Sequence, residues 1–192
     1  DEIVVFVYLD HEERPVATTL EPYILMDEFG LLRVNYINNF GAFLDWGLEK
    51  DIFVPFKEQA RPMEKGKRYL VFAYIDEKTN RIVASSKTNQ FLNNEKLTVE
   101  VGEEVDLIIS HITEVGINVI INDQHKGLLY KDEVYDDIRT GDRMVGYIKN
   151  IRTDNKIDVS LQKQGYENIE PNADRILTEL KASRGFLRLN DN

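Results

Sequence analysis

Aromatic side chains flank a single glycine in the first half of the chain. Phe40 and Phe43 lie three residues apart with Gly41 between them, and Trp46 follows in a polar turn. An exposed ring offers a flat face for stacking, but aromatic rings are also common core fillers. Residues three apart across a bend need not share a strand face. The pattern alone therefore leaves binding and core packing open for both phenylalanines, and binding or hairpin capping for Trp46.

Catalytic chemistry has few candidates in this sequence. The chain has three histidines and no cysteine. We find no paired metal-ligand spacing, nucleophile elbow or phosphate-binding glycine loop. The pair Asp136 and Asp137 lies in a charged stretch without a base or metal partner, which supports no mechanism. We expect a protein that is not an enzyme and carries no metal or cofactor.

Composition favours a folded protein of the cytoplasm. Of 192 residues, 42% are hydrophobic and 30% are charged, which is typical of globular domains. No apolar run reaches the roughly 18 to 20 residues of a membrane span, and the amino terminus lacks the basic start of a signal peptide. The lack of cysteine suits a reducing compartment. We expect a cytoplasmic protein without a membrane partner.

The net charge of -10 argues against a nucleic-acid ligand, because phosphate contacts depend on Lys and Arg. The charge is uneven, however. Residues 1–22 have 1 basic and 6 acidic side chains, and residues 93–165 have 9 and 14. Residues 23–92 have 10 basic and 9 acidic side chains. Residues 166–192 have 4 basic and 5 acidic side chains, so only residues 23–92 escape the acidity of the chain.

One strand ending occurs three times. Residues 5–19, 71–86 and 146–161 each contain an apolar strand, a polar turn and a second strand that a cation opens, which predicts a hairpin. The cations are Arg14, Arg81 and Lys156, spaced 67 and 75 residues apart. A charge at this place is usually a solvated edge. The spacing suits a small five-stranded barrel, and residues 31–44 and 105–119 share a matching opening with a bending glycine.

These repeats predict an all-β chain of tandem five-stranded barrels. We expect residues 1–22 to be the carboxyl-terminal part of a truncated first barrel, 23–92 the second barrel and 93–165 the third. Residues 166–192 would be a linker and a helical segment. An apolar stripe of Ile176, Leu177 and Leu180 there lies between the helix signals Asn172 and Gly185.

Residues 39–44 (NFGAFL), together with the Asp76 turn and Arg81, resemble the S-one-type RNA-binding repeat of ribosomal proteins. That family has an oligonucleotide-binding (OB) fold. Bases stack on two aromatics of its second strand and one aromatic or His of its third, and an Asp and an Arg flank its last hairpin. The resemblance implies that Phe40, Phe43, Asp76 and Arg81 contact RNA.

The chain departs from the family pattern at several positions. The second unit has Val54 where the family has its third-strand aromatic. The third unit keeps only Tyr130 and Lys156, so we expect it to bind RNA weakly; Val115, Asn118 and Arg152 stand at its other site positions.

Along nearly its whole length the chain resembles the CvfB (YitL-like) family of bacterial RNA-binding regulators. Residues 41–48 (GAFLDWGL) and 127–130 (GLLY) carry this resemblance. Three barrels precede a winged helix in that family. The resemblance implies that residues 166–192 begin a winged helix and that the protein acts in post-transcriptional or virulence gene regulation.

Three hypotheses for function follow. The first is a non-catalytic protein that binds single-stranded RNA, mainly through the second barrel. The second is a scaffold whose acidic third barrel docks a basic protein in a ribosomal or RNA-processing assembly. The third is an accessory part of a nuclease or polymerase. The oligomeric state is left open.

Overall fold

The computed structural model describes residues 3–10, 12, 14–134 and 137–163, and strands dominate these ranges. Short 3-10 helices lie at Phe56–Glu58, Thr88–Phe91 and Lys131–Glu133. The strands are β1 (Phe6–Leu9), β2 (Pro15–Thr18), β3 (Phe29–Ile37), β4 (Gly41–Leu44), β5 (Ile52–Pro55), β6 (Arg68–Asp76), β7 (Arg81–Ser85), β8 (Glu104–Ile112), β9 (Ile117–Ile121), β10 (His125–Leu129), β11 (Arg143–Ile151) and β12 (Ile157–Ser160).

Strands β3 to β7 close into the second barrel in the order β3-β4-β5-β7-β6. All neighbours are antiparallel except β5 and β7, which are parallel. Apolar side chains at alternate positions, such as Leu32 and Val34 of β3, fill the interior, while Arg33 between them is exposed. This period of two is what a strand with one buried face requires.

Strands β8 to β12 form the third barrel with the same topology, in the order β10-β12-β11-β8-β9. Each barrel's first strand has nine residues, and Phe29 and Glu104, where these strands begin, lie 75 residues apart. The two strands also share a register irregularity, between Val34 and Tyr36 and between Ile109 and His111. The predicted class of tandem five-stranded barrels is confirmed.

Strands β1 and β2 form a separate antiparallel hairpin that packs on the second barrel. Tyr8 is buried in the core cluster of that barrel. Phe6 makes an edge contact with Trp46, with ring centroids 5.6 Å apart. These contacts fix the hairpin beside β4 and β5.

The second and third barrels share a buried apolar cluster. Its buried members are Phe29, Leu70, Phe72, Leu92, Ile108 and Ile120. The guanidinium of Arg143 in the third barrel donates a hydrogen bond of 2.5 Å to the carbonyl of Phe29 in the second. Because the cluster and this hydrogen bond contain residues of both barrels, a packed apolar core joins the two barrels.

The predicted helical segment and winged helix of residues 166–192 lie outside the described residues. Within the described ranges, no helix has the length and apolar character needed to cross a membrane.

Candidate nucleic-acid interface

A groove of about 720 Å³ lies where the β1–β2 hairpin meets the second barrel. Four residues of the hairpin segment line it, and the rest of the lining comes from the barrel. The lining residues are Val7, Tyr8, Leu9, Asp10, Asn38, Phe40, Phe43, Trp46, Lys50, Asp51, Ile52, Phe53, Ile75, Asn80, Arg81, Ile82 and Val83. The groove thus contains Phe40, Phe43, Trp46 and Arg81 of the residues predicted from sequence.

Three aromatic rings form a ladder on the outer face of the second barrel. Tyr36 and Phe43 are cross-strand partners, and their rings stack with centroids 4.4 Å apart and an interplanar angle of 7°. Phe43 in turn pairs with Phe53, with centroids 4.8 Å apart. Cross-strand partners share a sheet face. The ladder is therefore a continuous aromatic surface across β3, β4 and β5.

The expectation that Val54 stands at the third-strand aromatic position is wrong. Val54 is fully buried in the barrel core, whereas Phe53 is half-buried and packs against Phe43. A shift of one residue along a strand moves a side chain to the opposite face. The aromatic that the family pattern requires is therefore present as Phe53.

Phe40 projects from the bend before β4. Its side chain is 75% exposed. The Asn38 carboxamide oxygen accepts hydrogen bonds from the backbone N–H groups of Phe40, at 2.8 Å, and Gly41, at 3.2 Å. A Cβ at Gly41 would lie 2.8 Å from the Phe53 ring and 2.9 Å from the Cα of Pro55. Glycine is therefore needed where the bend approaches β5.

Trp46 lies deeper than a base-stacking residue would. Its side chain is 3% exposed, and its indole N–H donates a 2.7 Å hydrogen bond to the carbonyl of Ile24. Trp46 borders the groove, but a ring that is 3% exposed and packed against Phe6 offers too little free surface to stack a base. The prediction that Trp46 contacts RNA must be corrected: the ring anchors the β1–β2 hairpin and the segment that follows it.

Asp76 and Arg81 are partners at the ends of β6 and β7. The Asp76 carboxylate accepts hydrogen bonds from the Thr79 hydroxyl at 2.9 Å and the Lys78 backbone N–H at 3.3 Å, so it shapes the turn. The Thr79 hydrogen bond is the main reason that the pKa of Asp76 lies below its usual range. Arg81 is exposed and lines the groove, but Asp76 does not.

The first hairpin has the same acid–cation pair in direct contact. Arg14 donates to the Asp10 carboxylate from Nε at 2.9 Å and Nη2 at 2.7 Å. These hydrogen bonds lower the pKa of Asp10 to about 2. The Asp10 carboxylate at the edge of the groove is therefore ionised at neutral pH.

The third barrel has no ladder on its equivalent face. Asn118 pairs with Leu128 and Leu128 with Asp158, in the same arrangement as Phe43, Phe53 and Val83 of the second barrel. Polar and aliphatic side chains thus replace two of the three rings. His111 pairs with Asn118 and occupies the place of Tyr36.

Arg152 and Lys156, two of the cations of the third barrel, have carboxylate partners within it. Arg152 contacts Asp158 at 2.7 Å and donates to the Tyr130 hydroxyl at 2.5 Å. Lys156 pairs with Asp154 at 2.7 Å. Tyr130 and Lys156 therefore take part in contacts within the barrel, and their role toward RNA stays a prediction. In the part of the chain that the structure describes, His, Asp and Glu side chains form no group of three that could hold a metal ion.

Comparison with known proteins agrees with this geometry. Residues 1–20 and 30–87 match the S1 domain family, the S-one-type repeat. The matched residues contain the β1–β2 hairpin and nearly all of the second barrel. The hairpin and the second barrel therefore match the S1-type repeat, and the resemblance of residues 39–44, Asp76 and Arg81 to that family is confirmed.

Similarity extends over the full length to one curated protein. YitL of Bacillus subtilis (strain 168), itself uncharacterized, is 26% identical over 202 aligned residues, which cover 100% of this chain and 66% of YitL. The chain is thus YitL-like, as its sequence indicated, and it spans about two thirds of the length of that relative.

Solved structures also resemble the chain. A multidomain protein with nucleic acid binding domains from Streptococcus pneumoniae TIGR4 is 25% identical with a TM-score of 0.44, and the match covers 97% of this chain and 69% of that one. A chain of the a/eIF2alpha-aDim2p-rRNA complex from Pyrococcus horikoshii OT3 is 16% identical with a TM-score of 0.32, over 46% of this chain and 59% of that one.

Proposed function

We propose that this chain is a non-catalytic protein that binds single-stranded RNA in the groove of the second barrel. The observation that carries the proposal is the ladder of Tyr36, Phe43 and Phe53 beside a groove that Arg81 also lines. Aromatic faces bind bases by stacking, and a nearby cation contacts the phosphate backbone. The S1-domain match of this region supports the same ligand.

Single strands are favoured because only unpaired bases can leave their neighbours and stack on protein rings. Each stacked base contributes roughly 1 to 3 kcal/mol. Since every base has a flat face, sequence selectivity through the ladder is modest. The charge balance of residues 23–92, 10 basic against 9 acidic side chains, does not oppose an anionic ligand.

The binding experiment is a titration of labelled single-stranded RNA followed by fluorescence anisotropy. Replacing both Phe43 and Phe53 by Ala should weaken binding by roughly 1 to 3 kcal/mol for each base that loses its ring. Phe56→Ala is the matched control, because Phe56 is exposed on the same barrel but does not line the groove. Parental affinity in the folded double variant would contradict the proposal.

The biological setting extends the proposal. By resemblance to the CvfB family, and with YitL similar along the whole chain, we place the protein in post-transcriptional control of gene expression, including virulence genes, in the bacterial cytoplasm. Crosslinking in cells followed by sequencing of bound RNA tests this role. Recovery of messenger RNA that depends on Phe43 and Phe53 supports it, and the same recovery with the double variant contradicts it.

A protein-scaffold function is the second candidate, and the third barrel favours it. Residues 93–165 have 9 basic and 14 acidic side chains, and Lys149, Arg152 and Lys156 pair with carboxylates of the same barrel. A surface of this charge suits a basic protein better than RNA. The RNA titration separates the two functions, because a scaffold alone would show no saturable affinity for RNA.

A further inference from the structure

The groove of the second barrel has a second wall that belongs to a different unit of the chain. Val7, Leu9 and Asp10 of the first hairpin line the same groove as Phe43 and Phe53. Val7 is 59% exposed although it lies in a strand. The barrel supplies the aromatic floor, and the preceding unit supplies an apolar side.

This second wall is held in a fixed position by apolar packing. Tyr8, between Val7 and Leu9, is 7% exposed and belongs to the core cluster of the second barrel. Phe6 contacts the ring of Trp46. Burial of alternate residues of β1 therefore leaves Val7 and Leu9 directed away from the core.

Lys50 attaches the end of β1 to the second barrel. Its ammonium donates hydrogen bonds to the backbone carbonyls of Leu9, at 2.6 Å, and Asp10, at 3.0 Å. Burial lowers the pKa of this ammonium. Hydrogen bonds from an ionised donor are stronger than those between neutral groups. The two bonds from the Lys50 ammonium therefore tie the hairpin to the second barrel.

We propose that the β1–β2 hairpin and the second barrel together form one two-sided site, in which an unstacked base of single-stranded RNA inserts between the apolar wall of Val7 and Leu9 and the rings of Phe43 and Phe53. This inference rests on the proposed function. The aromatic rings cover one face of the base. The apolar wall covers the opposite face and removes water from it, which stabilises the bound base. A base in a duplex has both faces covered by its neighbours, so the site selects single strands.

The test compares two identical substitutions in the full chain. Val7→Asp introduces a carboxylate into the wall, and Val4→Asp introduces the same charge at a side chain that is 92% exposed and does not line the groove. We expect Val7→Asp to weaken binding of a short single-stranded RNA about tenfold, the effect of losing one stacked face. Val4→Asp should bind like the parent.

Trp46 fluorescence reports whether the hairpin stays docked, because Phe6 contacts its ring. A second variant, Leu9→Asn, removes apolar surface from the wall without adding charge and should also bind several-fold more weakly. If both wall variants keep docked hairpins and bind like Val4→Asp while the Phe43 and Phe53 double variant loses affinity, the second wall is wrong and the proposed function stands. If the double variant also binds like the parent, the proposed function itself is wrong.

Discussion

Phe40 and the rings of the ladder differ in how much their packing contributes to the stability of the barrel. Phe43 packs between Tyr36 and Phe53, so its ring contributes to folding as well as to the surface. Phe40 is 75% exposed and has little packing to lose. A substitution at Phe40 therefore separates binding from stability more cleanly than one in the ladder.

Phe40→Ala should weaken RNA binding by roughly 1 to 3 kcal/mol, the value of one stacked base, and leave the melting temperature nearly unchanged. Anisotropy titration and thermal circular dichroism measure the two quantities. Phe56→Ala, also an exposed phenylalanine, should change neither. An unchanged RNA affinity in Phe40→Ala would remove this residue from the site.

Arg81 tests the electrostatic part of the account. It lines the groove, and one phosphate contact on a single strand contributes about 0.7 to the slope of log affinity against log salt. Arg81→Ala should reduce the slope by that amount. Arg68→Ala removes an exposed arginine of the same barrel that does not line the groove, and should leave the slope unchanged. Equal slopes in the two variants would exclude an Arg81 phosphate contact.

Sequence reasoning found some of these residues and missed others for a physical reason. Phe40 lies directly before Gly41, the glycine of the bend, so the motif was clear in the sequence. Phe53 lies in an apolar run, IFVPF, in which no polar residue marks the outer face, so its register was not visible. Tyr36 follows a register irregularity in β3, where simple alternation fails. Trp46 has polar neighbours in the sequence, yet a distant hairpin buries it.

Hairpins are the elements that the sequence revealed best, because their turn and strand patterns are local.

The acid–cation pair in the first hairpin, Asp10 and Arg14, is a property of that hairpin alone. The folded pKa of Asp10, about 2, lies below its ordinary value of 3.8. The ionised pair thus stabilises the hairpin above about pH 4, and this contribution disappears as the pH falls toward 2.

Arg14→Gln should therefore raise the pKa of Asp10 from about 2 toward 3.8, because the guanidinium hydrogen bonds are the first cause of the shift. An NMR titration that follows the Asp10 carboxyl signal between about pH 1.5 and 5, a range that contains both values, measures this pKa. Arg33→Gln, in β3, is the control and should leave the Asp10 midpoint in place. A midpoint that stays near 2 in Arg14→Gln would show that another group lowers it.

Long-range packing joins the units into a larger body, and local patterns do not show it. The buried cluster between the barrels brings Ile108 and Ile120 of the third barrel against Phe29 and Phe72 of the second. Phe72 and Ile108 lie between interior positions of their strands, so their side chains face outward from their own barrels. The repeat spacing predicted both barrels, but nothing in either repeat indicates which outward side chains meet the other barrel.

Ile108→Ala should lower the free energy of unfolding by about 2 to 5 kcal/mol, since the side chain is buried in this cluster. Trp46 is the single tryptophan and lies in the second barrel. Because the cluster couples the barrels, Trp46 fluorescence should report a lower urea midpoint of unfolding, although Ile108 lies in the third barrel. Val101→Ala, at an exposed side chain, should not change the midpoint. A Trp46 transition at the parental urea concentration in Ile108→Ala would show that the barrels unfold independently.

The most direct test of the central claim, that RNA binds the aromatic groove, is chemical-shift mapping of the labelled chain with a short single-stranded RNA. The largest amide shifts should occur in β4, β5 and the start of β7, at Phe43, Phe53 and Arg81. Smaller shifts should occur at Val7 and Leu9 of the hairpin. The equivalent strands of the third barrel, β9, β10 and β12, should change little. Largest shifts in those third-barrel strands, or saturation with no change at Phe43 and Phe53, would contradict the account.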